Sequence, residues 1–150
     1  MKFDEKEYLN LFKHTIDKDG FITVNEDFGC SGEGLTKLPW KFKEIKGTFD
    51  CSGNRLTTLK GAPKIVGVNF YCVYNELTTL ENAPKIVGGD FYCSDNELTT
   101  LKGSPKIVGN GFWCNNNKLK TLDYLPEKIG GKLYFNDNPL PPEEIALYNL

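Results

Sequence analysis

A period constrains this chain more than any other feature. Phe49-Asp-Cys-Ser-Gly-Asn-Arg-Leu-Thr-Thr-Leu59 returns as Phe70-Tyr-Cys-Val-Tyr-Asn-Glu-Leu-Thr-Thr-Leu80 and again as Phe91-Tyr-Cys-Ser-Asp-Asn-Glu-Leu-Thr-Thr-Leu101, every 21 residues. Each copy is followed by Pro-Lys-Ile-Val-Gly, beginning at Pro63, Pro84 and Pro105. The register runs further. Cys30, Cys51, Cys72, Cys93 and Cys114 share one slot, and Phe135 occupies the next, which makes six rungs. Self-similarity at this spacing predicts a solenoid, in which each unit buries its apolar face only against its neighbours.

The residues within a rung say how it folds. Phe49 and Cys51 alternate with Thr48, Asp50 and Ser52, a period of two that predicts a short strand ending at Asn54. Leu56 and Leu59 then point inward from a turn. Gly61, Asn82 and Gly103 share a slot suited to a left-handed backbone. Pro63 starts a return on which Val66 packs inward, and Gly47, Gly67, Gly88, Gly109 and Gly130 mark the entry to the next strand. The return is too short for a helical pattern, so turns or short 3₁₀ pieces are expected there. Asn54, Asn75, Asn96, Asn117 and Asn138 form an amide column. Facing inward, each needs the backbone of the adjoining turn to satisfy both its ends.

Phe-x-Cys-x-x-Asn-x-Leu, with a further Leu three residues on, resembles the leucine-rich repeat, with Phe and Cys in two of the usual Leu positions. The match spans residues 28–140, and five rungs carry the Asn. The short unit and its Pro-x-x-Val-Gly return are similar to the compact leucine-rich repeats of bacteria and large tailed phages. The resemblance implies a mainly β, right-handed horseshoe with a concave parallel sheet of about six rungs. The first rung departs, with Glu33 in the Asn slot and Trp40 and Phe42 in the return. The expected organisation is one structural domain: an N-terminal cap at 1–27, the solenoid at 28–140 and a C-terminal cap at 141–150.

Before the first rung, Tyr8, Phe12 and Ile16 recur at intervals of four, with Leu9 adjoining. That spacing predicts an amphipathic helix over 4–16, with His14 on its surface and Asp17-Lys-Asp-Gly20 ending it. Phe21–Val24 reads as a strand. After the last rung, proline and acids at Pro142-Glu-Glu144 signal a short helix, with Ile145, Leu147 and Tyr148 closing that end.

The composition narrows the function. A net charge of −2 and 39% hydrophobic residues suit a globular protein rather than an electrostatic nucleic-acid binder. No stretch is long enough to cross a bilayer, and the charged N-terminal residues lack the apolar run of a signal peptide. Five cysteines in an inward slot read as a buried thiol column, which favours a reducing cytoplasm, the host's if the chain is phage-encoded. No CxxC pair occurs and His14 is the single histidine, so neither a zinc site nor a Cys/His or Ser/His catalytic set is expected. Asp17, Asp19 and Gly20 faintly suggest a calcium loop, but the glycine comes too early and no glutamate closes it. No phosphate loop is present. The expectation is a non-enzyme without cofactor or metal.

Working residues are expected on the sheet's outer face. The slot between Phe and Cys holds Gly29, Asp50, Tyr71, Tyr92, Trp113 and Tyr134, four consecutive aromatics over roughly 15 Å at a strand spacing of about 4.8 Å. Asn69, Tyr74, Asp90, Asp95, Asn115, Asn116 and Asp137 lie beside it, with Glu76 and Glu97 at the edge. Two readings compete. Stacked aromatics stabilise a parallel sheet. Tyr and Trp are also hot-spot residues, and an aromatic strip with an acidic rim suits a protein partner with basic and apolar groups. The partner-binding set is therefore Tyr71, Tyr74, Asp90, Tyr92, Asp95, Trp113, Asn115 and Tyr134, on a protein monomeric when unbound. The resemblance implies a bacterial setting and, by analogy, an inhibitor of a host enzyme or defence protein. Carbohydrate binding by the aromatic strip is an alternative. Nucleic-acid binding along Lys60, Lys64, Lys85, Lys102, Lys106 and Lys128 is another, although Glu81 and Asp123 interrupt that row. A structural protein assembling through its ends is a fourth.

Overall fold

The computed structural model describes residues 3–148. A one-turn-plus helix, α1 (Glu5–Leu9), and an antiparallel pair, β1 (His14–Ile16) and β2 (Ile22–Val24), precede the repeats. Each turn then contributes two short strands. These are β3 (Phe28–Gly29), β4 (Phe42–Ile45), β5 (Phe49–Asp50), β6 (Ile65–Val66), β7 (Phe70–Tyr71), β8 (Ile86–Val87), β9 (Phe91–Tyr92), β10 (Ile107–Val108), β11 (Phe112–Trp113), β12 (Lys128–Ile129) and β13 (Leu133–Tyr134). A last helix, α2, spans Pro142–Ala146.

The odd-numbered strands from β3 to β13 form a six-stranded parallel sheet. The even-numbered strands, with β1 at one edge, form a seven-stranded sheet that is parallel apart from the β1–β2 pair. The chain is thus a mainly β solenoid of about five stacked turns. Pairing is in register at the repeat spacing, with Phe70 opposite Phe49 and Phe91, and Val87 opposite Val66 and Val108. The second sheet corrects the expectation of turns or 3₁₀ pieces in the return. Ile65-Val66 and its copies are β-branched pairs that fit a pleated surface, and two residues are too few to show a period.

Between the sheets runs one core. Phe49, Phe70, Phe91 and Phe112 stack at 5.2–5.4 Å with nearly parallel rings. All five cysteines are buried and unpaired, and burial pushes Cys30 and Cys114 up to about 12 and the other three upward as well. Three thiols donate to carbonyls of the next strand: Cys51 to Tyr71, Cys72 to Tyr92 and Cys93 to Trp113, at 3.2–3.4 Å.

The amide column is buried, apart from the half-buried Asn138, and bonded backwards. Asn96 Nδ2 donates to the Cys72 carbonyl at 2.9 Å, and its Oδ1 accepts the Leu77 N–H at 3.1 Å, both on the preceding turn. Asn54, Asn75, Asn117 and Asn138 repeat the pattern. At the strand entries, a side chain on Gly88 would drive into the Gly67 carbonyl of the turn before, so only glycine lets the turns approach there.

The segment ahead of the repeats differs from its prediction. The helix stops at Leu9 and never reaches residue 16. His14, Thr15 and Ile16 instead pair with Val24, Thr23 and Ile22, Ile16 is exposed, and His14 Nδ1 lies 2.8 Å from the Phe12 carbonyl. Asp17-Lys-Asp-Gly20 is the connecting turn, closed by Asp17 Oδ1 accepting the Asp19 and Phe21 N–H groups at 2.9 Å each. Helical spacing of Tyr8 and Phe12 survives as packing: both rings lie against Phe28. Tyr8 also donates to the Gly29 carbonyl at 2.7 Å, and Trp40 Nε1 donates to the Glu5 carbonyl at 3.0 Å. In α2, Ile145 packs on the core as expected, whereas Leu147 and Tyr148 are exposed. The contact that ties α2 down is Glu144 Oε1, which accepts the Leu122 N–H at 2.9 Å.

Candidate functional site

The outer face of the six-stranded sheet follows from pleating. In each strand the first residue, Phe in β3 to β11 and Leu133 in β13, points in, so the following residue points out. Gly29, Asp50, Tyr71, Tyr92, Trp113 and Tyr134 therefore line up across β3 to β13, each half-buried. Their rings stack in a continuous pile. Centroids are 4.5 Å apart for Tyr71–Tyr92, 5.3 Å for Tyr92–Trp113 and 3.5 Å for Trp113–Tyr134, with planes within 20° of parallel.

A polar column two residues earlier supports the pile. Asp27, Thr48, Asn69 and Asp90 each accept, through a side-chain oxygen, the backbone N–H of the same slot in the next turn, the last of these being Gly111 at 2.8 Å. These side chains also reach the rings. Tyr92 donates its hydroxyl to Asp90 Oδ2 at 3.3 Å, and Asn69 Nδ2 lies 3.5 Å from the Tyr71 hydroxyl. Partial burial, and then the Asp90 carboxylate, push the Tyr92 phenol up to about 12.

Gly111 interrupts the column for a steric reason. A Cβ there would stand 3.0 Å from Trp113 Nε1 and 3.2 Å from Asp90 Oδ1. The indole occupies the space that a side chain would fill, and its N–H is buried without a partner. The larger ring thus displaces the polar side chain that the other turns place beside theirs.

Beyond the strands, Gly32, Gly53, Tyr74, Asp95, Asn116 and Asp137 share a left-handed turn, with φ of 54° to 69°. Asp95 Oδ1 accepts from Asn116 Nδ2, and Asn115 Oδ1 accepts from Ser94 Oγ at 2.7 Å. Asp95 and Asn115 are therefore partly engaged within the ladder. Tyr74 is not: it is 65% exposed, in a backbone region that costs a non-glycine residue about 1–2 kcal/mol. The sequence reading missed this conformation because Tyr carries no such signal by itself. The signal lay in its alignment with Gly32 and Gly53. The eight expected residues thus fall on one face, Tyr71, Tyr92, Trp113 and Tyr134 as a stack, Asp90 bracing it, and Tyr74, Asp95 and Asn115 along the side where the strands end.

Other chemistry is sparse. Among the described residues, no group of three or more His, Cys, Asp or Glu is placed to hold a metal ion, and no helix is long and apolar enough to cross a membrane. Of the expected lysine row, Lys102 pairs with Glu81 at 3.9 Å, and the row lies away from the stacked rings. A scan of protein-family models, a search of curated proteins and a search of solved structures each returned no match to this chain.

Proposed function

We propose that this solenoid is a non-enzymatic protein-binding module of the leucine-rich-repeat type, acting by occupying a partner through its aromatic and acidic face. The observation that carries the reading is the half-exposed stack Tyr71–Tyr92–Trp113–Tyr134 with the exposed Tyr74 beside it. The stack is useful to the sheet, since neighbouring aromatic pairs contribute a few tenths to about 1 kcal/mol each. Tyr74 is not, because it adds a strained backbone and an exposed ring with no packing in return. Aromatic anchors flanked by Asp90 and Asp95 suit a partner with apolar and basic groups. The similarity of the repeats to those of bacteria and their phages makes a bacterial protein the natural partner, and inhibition of a host enzyme or defence protein the natural outcome.

Carbohydrate binding fits the geometry less well. A sugar stacks on an open ring face, and here each inner face is covered by the next ring. The pile offers edges to solvent, which suit side chains and backbone groups of a protein.

The experiment is affinity capture from bacterial lysate with the wild type, a Tyr92→Ala/Trp113→Ala variant and a Tyr74→Ser variant, with bound proteins identified by mass spectrometry. A protein enriched by the wild type and lost from the double variant, with reduced recovery on Tyr74→Ser, supports the reading. Equal recovery of the same protein by all three removes this face from the function.

A further inference from the structure

A cavity of about 530 Å³ opens where the first return meets the second, away from the aromatic face. Its walls carry four lysines, Lys37, Lys41, Lys60 and Lys64, and no acid lines it. Its floor is apolar, made by Leu38, Trp40, Phe42 and Ala62, all buried, and Phe21 stands at the side.

The repeat itself shows that two of these charges are particular to the site. Lys37 stands where later turns have Thr58, Thr79 and Thr100, and Lys41 where they have Ala62, Ala83 and Ser104. The corner is also the one at which Trp40 and Phe42 replace the regular return. Lys41 is held in place: its ammonium lies 4.8 Å from the Phe21 ring centroid and donates to the Asp19 carbonyl at 3.3 Å. Among the described residues the ion pairs are Lys46–Glu44, Arg55–Glu76, Lys102–Glu81 and Lys118–Glu97, none of which involves a cavity lysine. A net acidic chain thus gathers four like charges around one concavity, with no acid on its walls and only the nearby Asp17 carboxylate acting on Lys41.

A cleft with walls of one sign and an apolar floor concentrates ions of the other sign. Its size lies within the roughly 300–1,000 Å³ of small-molecule sites, and lysine is an adaptable point-charge donor to phosphate. We propose that this cavity binds a small polyanion with a planar or apolar body, a nucleoside di- or triphosphate being the class that fits. The phosphates lie against Lys37, Lys41, Lys60 and Lys64, and the ring lies toward Phe21 and the apolar floor.

Isothermal titration at low salt tests this, with magnesium-free ATP, pyrophosphate and adenosine as probes. ATP should bind saturably at one site, pyrophosphate about tenfold more weakly and adenosine not measurably. The Lys37→Ala/Lys41→Ala variant should weaken ATP binding about tenfold or more. The Lys85→Ala/Lys106→Ala variant, which removes the same charge from regular returns outside the cavity, should change it less than about twofold. Circular dichroism establishes that both variants keep the wild-type fold. Absence of saturable ATP binding, or equal losses in the two variants, overturns the site. Equal affinity for ATP and pyrophosphate overturns the organic body of the ligand.

Discussion

The two sheets obey the same period and present opposite kinds of surface. On the seven-stranded sheet, Pro-Lys-Ile-Val-Gly is identical in the three central turns, and Ile65, Ile86 and Ile107 stand outward with the same 40% exposure. On the six-stranded sheet the inward Phe is equally constant, but the outward slot reads Asp50, Tyr71, Tyr92, Trp113 and Tyr134, and the slots around it vary with it. Stacking requires constancy where a side chain meets its own copy. Gly88 against Gly67 and Asn96 against Cys72 are such places. Variation is tolerated where the fold asks little, and a run of large rings with an aromatic at a strained turn is variation with a direction. The contrast fits the proposal that the uniform sheet is scaffold and the varied one the binding side.

Several perturbations would break or sharpen that contrast. The largest is alkaline pH, which attacks the six-stranded sheet from within. Unfolded thiols ionise near about 8.5, whereas burial holds Cys30 and Cys114 near about 12. A raised folded value contributes stability that is intact below the unfolded value and is lost as pH rises toward the folded one. Urea midpoints should therefore be flat below about pH 8 and fall steeply between about 9 and 12. In the same vein, a thiol reagent at neutral pH should leave the five cysteines untouched until denaturant is added. Next, Phe91→Ala removes one ring from the inner stack and should cost about 3–5 kcal/mol by chemical denaturation. Asn96→Ala leaves the Leu77 N–H of the previous turn unpaired, while the Cys72 carbonyl keeps only its bond from Asn75, and should cost about 1–3 kcal/mol. On the varied face, Tyr92→Ala removes two stacked pairs and should cost no more than about 2 kcal/mol while abolishing partner capture, a separation of stability from binding that a purely stabilising stack would not show. On the uniform face, Ile86→Thr should stay within about 0.5 kcal/mol and leave partner capture unchanged. Loss of the partner on Ile86→Thr would reverse the assignment of the two sides.

The sequence made the columns legible because each is sampled three to six times. Inward Phe, Cys, Leu and Asn, the left-handed slot of Gly61, Asn82 and Gly103 and the outward rings all stand where the spacing puts them. What it hid was sampled once or was too short. The interval Tyr8–Phe12–Ile16 mimics a helix, yet Asp17's carboxylate stabilises a tight turn that sends Thr15 and Ile16 into a β pair. The return strands are two residues long, and their identity as a sheet depends on pairing with other turns. Glu144's bond to Leu122 and the accommodation of Trp113 beside Gly111 are single contacts between segments, with no periodic trace. The cavity lysines became conspicuous only when the corner was folded and their slots were compared with those of later turns.

The amide bonds have a direction, since each Asn reaches back one turn and none reaches forward. A duplicated unit spliced between Leu101 and Lys102 would find the same hooks waiting behind it and offer the same hooks ahead. It would add one strand to each sheet and lengthen the ring-bearing strip by about 4.8 Å. The molecule is in this sense a ruler whose graduations can be added or removed without recutting the rest, and its length is set by how many copies the gene carries.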